Sequence, residues 1–414
     1  MAPTRLTPAR VLAGFAGVSV VVILAVAVIW LHLDPKSVGR SDFTNAYTGG
    51  TLLREGHRTD LYDARLQASL SASLILPDRE GPVQFVAPPP AAAVVAPFTL
   101  LPLRTAYRVW SIVQLTFVIA AIALAVRTAP WPPGMRARRS FQWPAAVAAL
   151  GSLGPVSLVL LGQWDGLAAF GLSVAYWCRQ RDRRATAGFA LALAFGLAKP
   201  HLAIGIAVYI VALRDRRLIA GAVGGATALA VCAVVLVSPA GIAAWIAIDR
   251  ADFSNYLLRT QLSFTGFFAS WLGGTGVAVV LGAAAGVCAI AGCAVLGDRA
   301  RRHCGMFTWT LVGALTLSLA AAPHLLEHDL TLLSPAFIWA LATASSRGEP
   351  ATLRVLGLWG IVWFAALLDF GSLGAAPPGR VVPLALAACG VAALAATRNP
   401  HSTADAQTVR TALS

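Results

Sequence analysis

The chain has 414 residues, 57% of them hydrophobic and only 12% charged, where an ordinary globular chain carries about 25% charged residues. That balance excludes a soluble domain, and apolar runs of about 20 residues imply a polytopic helical membrane protein instead. The net charge of +14 comes from short arginine clusters between apolar runs, so it reports membrane topology and excludes nucleic acid as a partner.

In chain order, the first apolar run, Val11 to Leu33, follows Arg5 and Arg10. It is too long for a signal peptide and lacks a small-residue cleavage site, so residues 1–33 read as a tail and a retained first span. Residues 34–87 form the longest polar stretch. They predict two short amphipathic helices, 43–54 and 63–76, joined at Gly56 and laid along the membrane surface. Pro88–Pro89–Pro90 opens a short segment to Leu103, which also holds Pro97 and Pro102 and suits a re-entrant helix better than a full span.

The bundle then runs from 88 to 397, with spans expected near 106–128, 144–161, 165–179, 185–198, 202–213, 218–237, 275–297, 307–322, 329–345, 353–370 and 381–397. The fold class is all-α, with about 12 transmembrane helices. A cytoplasmic N-terminus places Arg136/Arg138/Arg139, Arg179–Arg184, Arg214–Arg217, Arg299–Arg302 and Arg347/Arg354 on one side. The same assignment puts Asp42, Gln163–Asp165, Lys199–His201, Asp249/Asp252 and His324–His328 on the outer face. Residues 398–414 read as a cytoplasmic tail. The six cysteines form no CxxC pair, so neither a disulfide framework nor a zinc site is implied.

Four groups of residues can carry chemistry. Asp42, just past the first span in Ser41–Asp42–Phe43…Tyr47, is either the cap of the helix after it or a base at the membrane surface. Asp34, Asp60 and Asp63 compete for the second role. Lys199, one of two lysines in the chain, is either a snorkelling helix-end residue or a cation for a phosphate, aided by His201 and the helix start after Pro200. Gly162–Gln163–Trp164–Asp165–Gly166 is a polar turn between apolar helices. His324 and His328 stand at i, i+4 beside Glu327 and Asp329. That spacing suits a metal, a satisfied histidine pair or an anion or sugar contact, and Leu325 rules out a zinc-protease HExxH. No P-loop, GxGxxG or GxSxG occurs, and the two halves lack the similarity of inverted-repeat transporters.

With these residues assembled, the chain resembles glycosyltransferase family 87 of the GT-C superfamily over roughly 40–345. The resemblance rests on Asp42–Phe43…Tyr47 with Gly56 and Leu61–Tyr62, Pro88–Pro89, and Leu100 to Pro102 before Trp110. It rests further on Gly162–Gln163…Gly166, Leu197–Ala198–Lys199–Pro200, Ser263–Phe264–Thr265–Gly266 and His328. The family often has Tyr-Pro-Pro where this chain has Ala87–Pro88–Pro89, and Asn-Gln-Ser where it has Gln261–Leu262–Ser263.

The resemblance implies a GT-C-type hexosyltransferase that moves a sugar, most often mannose, from a polyprenyl-phosphate donor to a lipid or glycan acceptor. Asp42 is then the general base of an inverting displacement, and Lys199, His324 and His328 face the leaving phosphate. Tyr47, Gln163, Asp165 and His201 complete the expected substrate site. No cofactor and no metal are implied. The expected home is a bacterial plasma membrane, with the active site extracytoplasmic and a role in cell-envelope synthesis. A flippase of a lipid-linked sugar intermediate is the alternative, and it would concentrate charges near mid-membrane rather than at helix ends on one side.

Overall fold

The computed structural model describes residues 7–75, 84–133, 139–255, 258–371 and 381–398, and every regular element among them is helical. The tail beyond Arg398, and Arg136 and Arg138, lie outside the described residues. α1 (Pro8–His32) is apolar all round and exposes Val21, Leu24, Val28 and Leu31, as a helix facing hydrocarbon does. α2 (Pro35–Gly39) starts at Asp34, whose Oδ1 accepts from the Ser37 amide at 2.6 Å. That bond holds the Asp34 carboxyl below its ordinary range.

α3 (Phe43–Arg54) and α4 (Ala64–Ile75) match the two helices expected from 43 and 63. Their setting differs from that expectation for α3, which is buried on nearly every side rather than laid on a surface. The cause is glycine: a Cβ on Gly49 would lie 2.5 Å from the Phe85 ring, so only glycine lets the 84–88 strand of chain press on this helix. Phe43, Tyr47, Leu61, Tyr62, Phe85 and Trp110 are then buried in a core of their own, each large side chain contributing about 1.5–3 kcal/mol.

α5 (Pro89–Val95) continues as a 3₁₀ turn over Ala96–Leu100. At this length it is a short segment, as the prolines predict. α6 (Leu103–Thr128) follows, and Arg104 and Arg108 on it donate to the Leu33, Trp30 and Leu31 carbonyls, satisfying acceptors the end of α1 leaves open.

The main bundle continues through α7 (Arg139–Leu150), α8 (Leu153–Leu161), α9 (Asp165–Gln180), α10 (Arg184–Ala198), α11 (Ile204–Leu213) and α12 (Arg216–Asn255). α12 is broken at Ser238, whose φ of 66° precedes Pro239. α13 (Phe264–Leu272), α14 (Gly276–Arg302), α15 (Phe307–Ala321), α16 (Leu333–Ser345), α17 (Glu349–Gly371) and α18 (Val382–Ala396) complete it.

About twelve spans were expected, but six described helices are long and apolar enough to cross a membrane, or seven if the bent pair α7–α8 is one span. α9, α10, α11, α16 and α18 are each 16 residues or fewer. Periodicity counted them as spans because they are apolar. Short helices are tolerated where their ends meet inside protein instead of lipid, and several of these end against one another at a polar cluster.

The opposite end of the bundle is basic. Asp215 Oδ2 lies 3.2 Å from Arg184 and 4.0 Å from Arg179, Arg179 stacks over Phe307 at 5.0 Å, and Arg347 stacks over Trp309 at 5.1 Å. The arginine clusters at 179–184, 299–302 and 347 therefore share one face. In a cysteine-free background, Thr59→Cys and Ser346→Cys, both exposed, are predicted to react oppositely with an impermeant thiol reagent applied to intact cells. Equal labelling of both positions would contradict this division of the fold into two ends.

Candidate active site

The turn between α8 and α9 sits where the two hydrophobic cores meet: Trp164 packs into the smaller core against Trp110, ring centroids 4.6 Å apart, and Ala168 and Ala169 into the larger. Gly162 ends α8 with φ 67°, a left-handed residue that favours glycine. A Cβ there would also lie 2.7 Å from the Phe43 Cβ, so the turn and the start of α3 touch. The turn thereby presents Gln163 to one side and Asp165 to the other.

Gln163 Nε2 donates to Asp42 Oδ2 at 2.6 Å. A carboxylate only accepts, so the amide nitrogen is the end that faces it. Asp42 is half-buried, and it holds the N-cap position of α3 without a side-chain cap bond. Its Oδ1 has no partner among the described residues. The competing acids are spent differently: Asp34 caps α2, Asp63 accepts from the Arg65 and Leu66 amides at 2.9 and 2.8 Å, and Asp60 is exposed beside Thr59.

On the other side of the turn lies a buried charge cluster. Lys199, at the end of α10, is only 8% exposed, and its Nζ lies 2.6 Å from Asp329 Oδ1, 3.3 Å from Asp165 Oδ2 and 2.9 Å from His328 Nδ1. His328 Nδ1 in turn lies 3.1 Å from Asp165 Oδ2 and 3.3 Å from Asp329 Oδ1. His328 and Asp329 belong to a 3₁₀ turn, Glu327–Leu332, in the connection between α15 and α16. Asp329 Oδ2 also accepts from the Leu326 amide at 2.7 Å, closing its own turn.

Two ionised carboxylates and one ammonium would leave a net negative charge in the interior. A protonated His328 makes the sum zero, and burying an uncompensated charge is costly. Burial and Lys199 push the His328 pKa down, but Asp329 and Asp165 together outweigh them and raise it to about 9. A protonated His328 carries hydrogen on both ring nitrogens, so its Nε2 is then a donor. That Nε2 is buried, with no hydrogen-bond partner among the described residues.

Other buried polar atoms around this connection also have no hydrogen-bond partner among the described residues: Asp165 Oδ1, His201 Nε2, Gln261 Nε2, Ser263 Oγ and Thr331 Oγ1. Buried polar groups are seldom left so. Gln261 and Ser263 flank Leu262 in this neighbourhood, where the Leu325 amide donates to Gln261 Oε1 at 3.1 Å and the Leu325 carbonyl accepts from the Leu262 amide at 2.7 Å. His201 and His324 meet edge to face, ring centroids 5.5 Å apart, and burial lowers the His324 pKa to about 3.

A profile of glycosyltransferase family 87 matches residues 85–323, more than half of the chain. The chain belongs to glycosyltransferase family 87. It is therefore a membrane glycosyltransferase, and the flippase alternative is not favoured. No curated protein and no solved structure matches the chain. The family-87 match holds Gln163, Asp165, Lys199 and His201 but stops short of Asp42 at one end and of His324, His328 and Asp329 at the other. The structure joins both ends to it, through Gln163 and through Lys199.

Of the residues the sequence singles out, Asp42 meets Gln163, and Asp165, Lys199 and His328 meet one another. Tyr47 stands apart: it is 6% exposed and its hydroxyl donates to the Leu101 carbonyl at 2.9 Å, so it fastens α3 to the turn after α5. Asp329, Gln261 and Ser263 were not assigned to the site. Asp329 had a signal, its place beside His328, but sequence adjacency could not show that it shares Lys199.

Asp165, His328 and Asp329 also form a set of metal-ligand types within 4.8 Å of one another. The Lys199 ammonium already supplies a positive charge within 3.3 Å of all three.

The raised His328 pKa makes a signed prediction. A histidine held protonated above its ordinary 6.5 contributes stability that is full below about 6.5, declines as pH rises, and is gone above about 9. The melting temperature of detergent-solubilised protein is expected to fall across that window, and His328→Gln is expected to flatten the dependence. A melting temperature that rises across the window would contradict the assigned charge state.

Proposed function

We propose that this enzyme transfers a sugar, mannose foremost, from a polyprenyl-phosphate donor to a hydroxyl of a lipid or glycan acceptor, with inversion, at the extracytoplasmic face of a bacterial plasma membrane. The observation that carries this reading is Asp42, a helix-start aspartate that forgoes capping and is held instead by Gln163, whose own turn supplies Asp165 to the buried cluster. The acceptor hydroxyl attacks the anomeric carbon, and Asp42 Oδ1 takes its proton. The bond from that carbon to the phosphate oxygen breaks, and its electrons leave with the polyprenyl phosphate.

His328 Nε2 supplies a hydrogen bond to the leaving phosphate, with His201 Nε2 and His324 beside it. Lys199 acts through the cluster: its ammonium is held by two carboxylates and keeps Asp165, His328 and Asp329 together. We infer that, with that ammonium supplying the positive charge between the two carboxylates, the reaction proceeds without a resident metal. The remaining unpartnered polar atoms, Gln261 Nε2 and Ser263 Oγ among them, suit the hydroxyls of a sugar.

A lipid-linked donor is supported by a groove of about 520 Å³ whose wall includes Pro88, Pro90, Phe195, Pro200, Ile210 and Trp245. Pro200 directly follows Lys199, so one end of the groove lies at the cluster. Val211 and Val223, also on its wall, are exposed on the flank of the bundle, where a hydrocarbon chain enters from lipid. The orientation follows the basic end, which the positive-inside pattern assigns to the cytoplasm.

Asp42→Asn keeps the shape but cannot take a proton. Turnover with a polyprenyl-phosphate sugar is expected to fall by about 10²–10⁴ with donor binding retained, and wild-type turnover is expected to persist in EDTA. If Asp42 were only a cap, asparagine would replace it with little loss. Near-normal turnover by Asp42→Asn refutes the base assignment, and loss of activity in EDTA refutes the metal-free one.

A further inference from the structure

A second large cavity, about 770 Å³, lies among α15, α16, α17 and α18 and opens at the basic end of the bundle. Its walls are apolar, from Leu333 and Phe337 to Trp359 and Val362, with Phe337 and Trp359 stacked 4.3 Å apart. Arg347 and Arg354 stand on its rim and are both exposed. Most of this wall lies beyond residue 323, where the family match ends.

The two arginines differ from others at the same end. Arg184 and Arg179 share Asp215 at 3.2 and 4.0 Å, and Arg301 and Arg302 lie 2.7 Å from Asp298. Arg347 and Arg354 have no carboxylate partner among the described residues, and Glu349, two residues from Arg347, pairs with neither. Arg347 is held in place by stacking over Trp309, another residue of the cavity wall, whose buried Nε1 has no partner among the described residues. An apolar chamber with two guanidinium groups at its mouth, neither paired with a carboxylate among the described residues, matches a molecule with an anionic head and hydrocarbon chains.

We propose that this cavity binds an anionic phospholipid of the leaflet at the basic end, its acyl chains among α15–α18 and its phosphate on Arg347 and Arg354. A free phosphate would leave the apolar walls unused. The sugar donor is a poor occupant as well. α16 runs from the charge cluster to Ser345 beside Arg347, and its 13 residues separate the two ends by about 20 Å.

The test is native mass spectrometry of the full-length protein in detergent, titrated with phosphatidylglycerol, phosphatidylcholine of the same chains, or inorganic phosphate. One phosphatidylglycerol is expected to bind about tenfold or more tightly than phosphatidylcholine, and inorganic phosphate is expected not to displace it. The double variant Arg347→Gln/Arg354→Gln is expected to lose that preference. Gly357 lines the cavity with open space where a Cβ would go. Gly357→Leu is therefore expected to fold, keep both arginines, and weaken retention of either lipid severalfold. Equal binding of the two lipids by the wild type, an unchanged preference in the double variant, or displacement by inorganic phosphate overturns the proposal. None of these outcomes depends on sugar transfer, so failure here and failure of the enzymatic reading are separable.

Discussion

The Lys199 ammonium is the constraint on which the rest of the site depends. Asp165, at the start of α9, and Asp329, between α15 and α16, are both fully buried, and each needs a counter-charge. A lysine at the end of α10 answers both. Residues 165, 199 and 329, far apart in the chain, are thereby fixed at one point. Such a cluster is a weak device for stability, because a buried ion pair seldom outperforms hydrophobic residues of the same volume. Removing one member is another matter and costs about 3–5 kcal/mol. The cluster therefore suits a role in chemistry: His328 Nδ1 is engaged by the charges, and its Nε2 has no partner among the described residues.

The Gly162–Gly166 turn carries this arrangement to Asp42. Gln163 and Asp165 are two residues apart, which limits their Cα separation to about 7 Å. The carboxylate held by Gln163 and the cluster joined by Asp165 are thus neighbours across a narrow turn. An inverting displacement has a matching requirement: a base on one face of the anomeric carbon and stabilisation of the leaving group on the other. The smaller core makes the placement firm. Phe43, next to Asp42, packs on Trp110 and Tyr107, and Trp110 donates to the Gly162 carbonyl at 2.9 Å. The helix that carries Asp42 and the turn that holds it therefore share one set of aromatic contacts.

Much of this was legible in the sequence. Apolar runs and arginine clusters gave an all-helical membrane protein with a basic end, because burial in lipid and the charge rule act on composition. Asp42, Asp165, Lys199 and His328 stood out as polar residues at the ends of apolar segments. What one-dimensional patterns could not supply was depth and pairing. The short helices α9, α10, α11, α16 and α18 read as spans, and only the structure shows that α9, α10 and α16 have ends that meet at the buried charge cluster. The burial of α3 depended on Gly49 lying against Phe85, a contact 36 positions away along the chain. Lys199 read as a snorkelling residue or a cation for a phosphate, because its two carboxylates lie 34 residues before it and 130 after it.

The central claim is that a base and a phosphate-facing cluster, on either side of one turn, transfer sugar from a lipid phosphate. The most direct measurement is a radiolabel transfer assay with the purified protein in vesicles, supplied in parallel with a polyprenyl-phosphate sugar and with the corresponding nucleotide sugar. The account predicts transfer of label to a lipid or glycan acceptor from the first donor and none from the second. Transfer from the nucleotide sugar, with the polyprenyl-phosphate sugar inert, would contradict it.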